Sequence, residues 1–189
     1  MVALVVSFFT PGYADHAARL RESLARSNLE AWIEPVETEG AWEHTCARKA
    51  AFVRKALECA LGPVLWLDAD ATVHGDLRPL LEDLRRREAD FAVHRTGSTH
   101  PRLAFRSGTV WFNRTPRAIE LADRWVDRCA RSPRTWDQES LFRAHGDVDG
   151  VATEWLDEAY CCRFDDPGAE AAVVVHHQAS RELKRSPDR

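Results

Sequence analysis

Two aspartates with one residue between them, Asp68 and Asp70, follow the apolar start of the run Val64-Leu-Trp-Leu-Asp-Ala-Asp-Ala-Thr-Val73. The apolar residues before them read as a buried strand. Ligands of open α/β sheets bind beyond the carboxyl ends of the strands, which is where both side chains fall. Neighbouring carboxylates repel one another, and a shared cation relieves the repulsion. Their hard oxygens suit Mg²⁺ or Mn²⁺, ions that also take phosphate oxygens. The chemistry implied is a metal bridging protein and a diphosphate. The blander alternative is a pair of turn aspartates, one capping the next helix, and the buried strand directly before them weighs against it.

Other groups have the right types for a site. His176 and His177 end the apolar run Ala172-Val-Val-Val175. On a strand they face opposite ways, so at most one points at a shared ligand. Asp137-Gln138 opens a short helical stretch, where Asp137 also suits an N-cap. Ser107-Gly108 precedes a strand, and glycine lets a backbone approach a ligand closely. Arg48 and Lys49 on a helix, and Arg181 and Lys184 near the end, are cations that can meet phosphate or simply solvate a surface.

The elements that must position these groups alternate. Val2 to Phe9 is a strand covered on both faces, ended by Pro11-Gly12. A helix over about 14–27 places Ala17, Leu20 and Leu24 on one side. A short strand covers 31–36, with Pro35 marking an edge or an end. A second helix spans about 46–60, with Thr45 as its N-cap, and Gly62-Pro63 stops it before the strand 64–67. Further helices are expected over about 76–87, 116–131 and 137–143, with strands near 90–94, 109–112, 151–156, 161–164 and 172–175. Strand and helix in this order predict an α/β fold with a mainly parallel twisted sheet and helices on both faces.

The chain has 189 residues and a formal net charge of −4, and no basic stripe invites a nucleic-acid partner. The cluster Arg85-Arg86-Arg87 reads as a solvated helix face. Five cysteines without a Cys-x-x-Cys argue against a disulfide framework or a zinc site and suit a reduced, cytoplasmic protein. The N-terminal apolar run lacks the basic flank of a signal peptide and is too short to span a bilayer, so no integral membrane segment is expected. Among the seven tryptophans, Trp66, Trp111 and Trp125 lie on buried elements, whereas Trp42 and Trp136 sit in or near loops and are the better ligand contacts.

Two family resemblances compete for the acidic turn. Asp-x-Asp-x-Thr after an apolar strand is similar to the first motif of haloacid-dehalogenase-type phosphatases, with Asp68 as nucleophile, Asp70 as acid/base and Asp165-Asp166 as a later acidic motif. Those enzymes begin with that strand, whereas here two strands and two helices come first and little chain remains after Asp166. The whole layout more closely resembles the GT-A-fold nucleotide-sugar glycosyltransferases, and glycosyltransferase family 8 in particular. Leu4-Val-Val-Ser-Phe-Phe-Thr10 looks like the first strand of that fold, and Asp68-Ala-Asp70 its DxD metal motif. Arg106-Ser-Gly-Thr-Val-Trp-Phe-Asn113 looks like the segment lining the donor sugar, with Arg106 where asparagine is usual. Asp137-Gln138 resembles the segment beside the anomeric carbon, and Val173-Val-Val-His-His177 the terminal strand. The family's usual Gly-x-x-Lys-Pro-Trp after the histidine is absent.

The resemblance implies one GT-A-like domain over 1–189, with a nucleotide-binding half to about 100 and an acceptor and catalytic half beyond. It implies a metal, Mn²⁺ or Mg²⁺, held by Asp68, Asp70 and one of His176 and His177. Phe9, Thr10, Tyr13, Arg48 and Lys49 would lie toward the nucleotide, with UDP favoured. Ser107 and Gly108 would approach the sugar, and Lys184 with Arg181 the diphosphate. Asp137 and Gln138 would act at the anomeric centre, a pair more compatible with retention than inversion. The acceptor, whether glycan, lipid, protein or small molecule, is not implied. A nucleotide-sugar-binding module without turnover is the non-enzymatic alternative.

Overall fold

The computed structural model describes residues 3–38 and 42–183. Its central sheet has six strands: β1 (Leu4–Phe9), β2 (Ala31–Pro35), β3 (Val64–Leu67), β5 (Phe91–Arg95), β6 (Phe105–Phe112) and β7 (Thr153–Trp155). Their spatial order is β2-β1-β3-β6-β5-β7. β1 pairs in parallel with β2 and β3, and β5 with β7, while β6 runs antiparallel to both its neighbours. Five strands therefore share one direction, as the alternation of strands and helices predicts, and β6 is the exception.

Side chains alternate across this sheet and build a core on each face. Val6, Phe8, Val64, Trp66, Val110 and Phe112 point to one side. There they meet α2 (Trp42–Cys59), α5 (Pro116–Arg131) and α6 (Asp137–Gly146), through Ala50, Val53, Leu57, Leu121, Trp125 and Leu141. Val5, Leu65, Leu67 and Trp111 point to the other side, against α1 (Ala14–Arg26) and α3 (Arg78–Arg86), through Leu20, Leu24, Leu81 and Leu84. The helix starts follow local chemistry. Thr115 accepts a bond from the Ala118 N–H before Pro116 at the first helical position, and Asp76 Oδ1 accepts from the Arg78 N–H at 2.9 Å.

A second sheet matters more for the site. β4 (Ala71–Val73) follows directly on the acidic turn and pairs antiparallel with β9 (Val174–His176), which pairs in parallel with β8 (Cys162–Arg163). The register sets Ala71 opposite His176. This pairing, made by residues 101 to 105 positions apart, brings the chain's last apolar strand beside Asp70. The short helices α4 (Pro101–Ala104) and α7 (Ala179–Leu183) complete the described elements. No helix among the described residues is long and apolar enough to cross a membrane.

Several bounds differ from expectation. α2 begins at Trp42, so Thr45 lies inside the helix rather than capping it. β6 begins at Phe105, four residues earlier than its apolar stretch, because Arg106 and Ser107 hold strand geometry with polar side chains directed into the site and its rim.

Candidate active site

The site assembles where β3, β4, β6, β9 and the start of α6 converge. Asp68, Asp70 and His176 each offer a ligand atom, all within 4.8 Å of one another. Among the described residues this is the one such group of three or more acidic, histidine or cysteine side chains. Asp70 and His176 are buried, whereas Asp68 keeps 36% of its side chain exposed and so is open to solvent.

Each member is held from behind. The Asp70 Oδ2 accepts the Ala179 N–H at 2.9 Å, and the Asp70 carbonyl accepts the His177 N–H at 3.0 Å. Gln178 takes the left-handed region, φ 53°, to make the turn that presents Ala179. The remaining Oδ1 of Asp70 lies 4.0 Å from His176 Nδ1. His176 Nε2 lies 2.9 Å from Thr109 Oγ1, while its Nδ1 is buried with no hydrogen-bond partner. A ring nitrogen without a hydrogen-bond partner, close to two carboxylates, is what a metal ligand needs; in the tautomer whose Nε2–H donates to Thr109, Nδ1 carries the lone pair. The residues present therefore fit a divalent ion. Burial disfavours the charged ring, but Cys161, Asp68 and Asp70 together raise the His176 pKa above the ordinary imidazole value.

Glycine is required at position 108. A Cβ there would lie 2.7 Å from His176 Cε1, so only glycine lets β6 lie this close to the ring that β9 carries. The close approach that Gly108 permits in this structure is thus to the imidazole.

Lys49 ties the Asp68–Asp70–His176 group to a third carboxylate. Its Nζ lies 2.7 Å from Asp68 Oδ1 and 2.9 Å from Asp137 Oδ2. It also donates to the Ser107 carbonyl at 3.2 Å, and Ser107 Oγ donates to Asp137 Oδ2 at 2.7 Å. Burial opposes the ammonium charge, yet Asp137 and Asp68 outweigh it and hold the Lys49 pKa above the ordinary lysine range. Burial likewise pushes Asp68 toward its neutral form, and Lys49, His176 and the Trp66 indole N–H override it, keeping the carboxylate ionised. The ends of this buried group, Lys49 and Asp137, lie 88 positions apart, and no local spacing announces it.

The remaining predicted site residues are placed as follows. Tyr13 lies near Asp70 and Asp68; burial and those charges raise its phenol pKa, against a hydrogen bond from Trp42. Thr10 accepts the Tyr13 N–H at 2.8 Å, and the Phe9 ring lies under the Arg21 guanidinium at 5.0 Å. Arg48 donates to the Glu37 carbonyl at 3.1 Å. His177 Nε2 sits 2.8 Å from Thr72 Oγ1, outside the Asp68–Asp70–His176 group. The Gln138 amide donates to the Arg102 carbonyl, and Arg181 pairs with exposed Asp165 at 2.6 Å. Arg106 pairs with Asp166 at 2.7 Å and Glu158 at 3.1 Å. Lys184 lies outside the described residues.

A mainly parallel sheet with one reversed strand, an Asp-x-Asp at the end of its central strand and a histidine delivered from a small second sheet define a GT-A-type glycosyltransferase. A model of the nucleotide-diphospho-sugar transferase family matches residues 34–183, most of the chain, and the protein belongs to that family. Solved structures carry the same fold. One is a glycosyltransferase involved in glycosylation of the major capsid of PBCV-1, with a TM-score of 0.76 and 15% identity, covering 97% of this chain and 98% of that one. The glycosyltransferase GlyE of Streptococcus pneumoniae follows at TM-score 0.65 and 18% identity, over 93% of this chain but 54% of its own. The galactosyltransferase LgtC, in complex with donor and acceptor sugar analogues, gives 0.55 and 14% over 92% of this chain and 86% of its own. At these identities the likeness is one of fold. No curated protein sequence matches the chain. The phosphatase reading is overturned by the family match, and Asp166 is neutralised by Arg106 and Arg163 rather than poised near Asp68.

Proposed function

We propose that the protein moves a sugar from a UDP-sugar to an acceptor hydroxyl with retention of configuration, using Mn²⁺ or Mg²⁺. The observation that carries this reading is the convergence of Asp68, Asp70 and the unpartnered His176 Nδ1 within 4.8 Å. Those three residues would hold the ion. Bound there, it supplies Lewis-acid neutralisation of the charge that develops on the departing diphosphate.

The chain's own groups divide the rest of the work. Lys49 fixes Asp68 and Asp137 relative to one another. Both Ser107 Oγ and Lys49 Nζ engage Asp137 Oδ2, which leaves this carboxylate suited to orienting the donor sugar rather than to taking a proton from the acceptor. That division favours retention, as in family 8. Tyr13, with Phe9, Thr10 and Arg48 beyond it, marks the nucleotide end. Residues to about 100 hold the nucleotide, and those beyond carry the acceptor and Asp137, with Gln138 steadying Arg102 beside it. UDP and the contribution of Lys184 and Arg181 follow from the family 8 layout. The donor and acceptor analogues bound to LgtC accord with a two-substrate site.

The test is release of nucleoside diphosphate from a panel of nucleotide sugars with Mn²⁺ or Mg²⁺. Metal-dependent UDP release, lost in Asp70→Asn, supports the reading. Binding without any turnover favours a nucleotide-sugar-binding module, and turnover that ignores metal removes the role given to the acidic group.

A further inference from the structure

Arg106 stands where β6 enters the site, yet its ion-pair partners all lie outside the Asp68–Asp70–His176 group. Against β5 the register steps from Val93 opposite Val110 to His94 opposite Arg106, so Ser107, Gly108 and Thr109 form a bulge in β6. All three bulged residues meet the site. Ser107 bonds Asp137, Gly108 lies against the His176 ring, and Thr109 bonds the ring at Nε2. Arg106 is the last residue of β6 in register with β5 before that bulge.

The Arg106 guanidinium crosses to the segment that carries β8. Its Nη1 lies 2.7 Å from Asp166 Oδ2, 3.1 Å from Glu158 Oε1 and 3.3 Å from the Cys161 carbonyl. The Cys161 thiol donates back to the Arg106 carbonyl at 3.6 Å. Only 23% of the Arg106 side chain and 7% of the Asp166 side chain are exposed, so the pair is held largely out of water. β8 in turn flanks β9. Arg163 is in register with His176, and the Phe164 N–H donates to the His176 carbonyl at 3.0 Å. β6 therefore reaches His176 twice: Gly108 and Thr109 meet the ring, and Arg106 holds, through β8, the backbone that carries it. Arg163 also pairs with Asp166, at 2.6 Å, but from three residues away on the same segment, so it braces that segment without reaching β6.

We propose that Arg106 is a positioning residue for His176: by clamping the β8 segment to the start of β6, it sets where the His176 ring stands relative to Asp68 and Asp70. Groups that share a ligand need placement to about 0.5 Å, which a bracket on both the ring and its backbone supplies. The inference deepens the transferase reading and rests on it for the role of the ion. It gives Arg106 no contact with donor or acceptor.

Two readouts on Arg106→Met and Arg163→Met test this. Both variants take an arginine from Asp166, and only the first frees β8 from β6. Mn²⁺ affinity, read by electron paramagnetic resonance, should fall about tenfold or more in Arg106→Met and stay within about twofold of wild type in Arg163→Met. In metal-free protein, the imidazole ¹H–¹³C signals of His176, assigned with His176→Gln, should move further in Arg106→Met than in Arg163→Met. Arg106→Lys keeps a cation against Asp166, and so keeps the fold if Arg106→Met does not. Its single ammonium cannot hold Asp166, Glu158 and the Cys161 carbonyl together, so it should show both changes at smaller size. Equal changes in the Arg106 and Arg163 variants would overturn the proposal. So would unchanged Mn²⁺ affinity and His176 signals in Arg106→Met, or in Arg106→Lys if only that variant folds. A wild type that binds no Mn²⁺ would sink the metal reading alone. The His176 signals then decide on Arg106, supporting it if they move further in Arg106→Met and refuting it if they do not.

Discussion

Lys49 Nζ and Asp137 Oδ2 meet at 2.9 Å in a buried setting, and the same ammonium lies 2.7 Å from Asp68 Oδ1. One cation thus joins Asp68, the exposed carboxylate of the Asp68–Asp70–His176 group, to the carboxylate at the head of α6. Removing one partner of a buried ion pair leaves an uncompensated charge and costs about 3–5 kcal/mol. Lys49→Met is therefore expected to lose stability of that order in urea unfolding. It is also expected to bind Mn²⁺ alone about tenfold more tightly, since an ammonium no longer competes for Asp68. Stability and metal affinity moving in the same direction would contradict this account of Lys49.

Gly108→Ala forces a Cβ against the His176 ring, at 2.7 Å from Cε1. Overpacking of this kind costs about 1–3 kcal/mol. The ring has to leave its place against β6, so Mn²⁺ affinity should fall by about tenfold or more. Unfolding curves and a metal titration monitored by electron paramagnetic resonance check both effects. A fall in stability with unchanged metal affinity would remove His176 from the ligand set.

Asp166 sets an acid limit on folding. Its carboxylate bonds Arg163 by side chain and backbone and pairs with Arg106, which holds its pKa well below the ordinary carboxylate value despite partial burial. The folded-state pKa is depressed, so the stabilisation is complete above the unfolded value near 4 and is lost as pH falls from there through the folded value. Because part of the network is exposed, its worth is roughly 1–2 kcal/mol. Asp166→Asn should lower stability by that amount at pH 7. The gap from wild type should close as pH drops below about 4. A gap that stays constant with pH would show that the charge of Asp166 contributes nothing.

The sheet and the acidic turn were legible because their signals are local. Val64 to Leu67 is an apolar run that the aspartates terminate, and β1 and β9 read in the same way. The reversed direction of β6 was not legible, since strand direction depends on pairing and not on composition. Nor was its early start, because Arg106 and Ser107 interrupt the apolar pattern. Alternation showed that His176 and His177 face apart, but only the antiparallel pairing of β9 with β4 turns His176 toward Asp70 and leaves His177 to Thr72. Lys49 stood out as a cation on a helix, and its partners Asp68 and Asp137 are contributed by two distant elements. Arg181 and Gln138 carried site-like residue types, yet the nearest partners that folding gives them are Asp165 and the Arg102 carbonyl. Sequence spacing ranks such candidates, and tertiary contacts decide among them.

Isothermal titration of UDP into wild type and Asp70→Asn, with and without Mn²⁺, tests the central claim most directly. Asparagine keeps an acceptor for the Ala179 N–H, so the turn after His177 can survive the substitution. The account predicts UDP binding to the wild type that strengthens at least tenfold, about 1.4 kcal/mol, when Mn²⁺ is present, and no such gain in Asp70→Asn. UDP affinity that is the same with and without Mn²⁺, or the same gain in Asp70→Asn, would contradict a metal-bridged diphosphate at Asp68, Asp70 and His176.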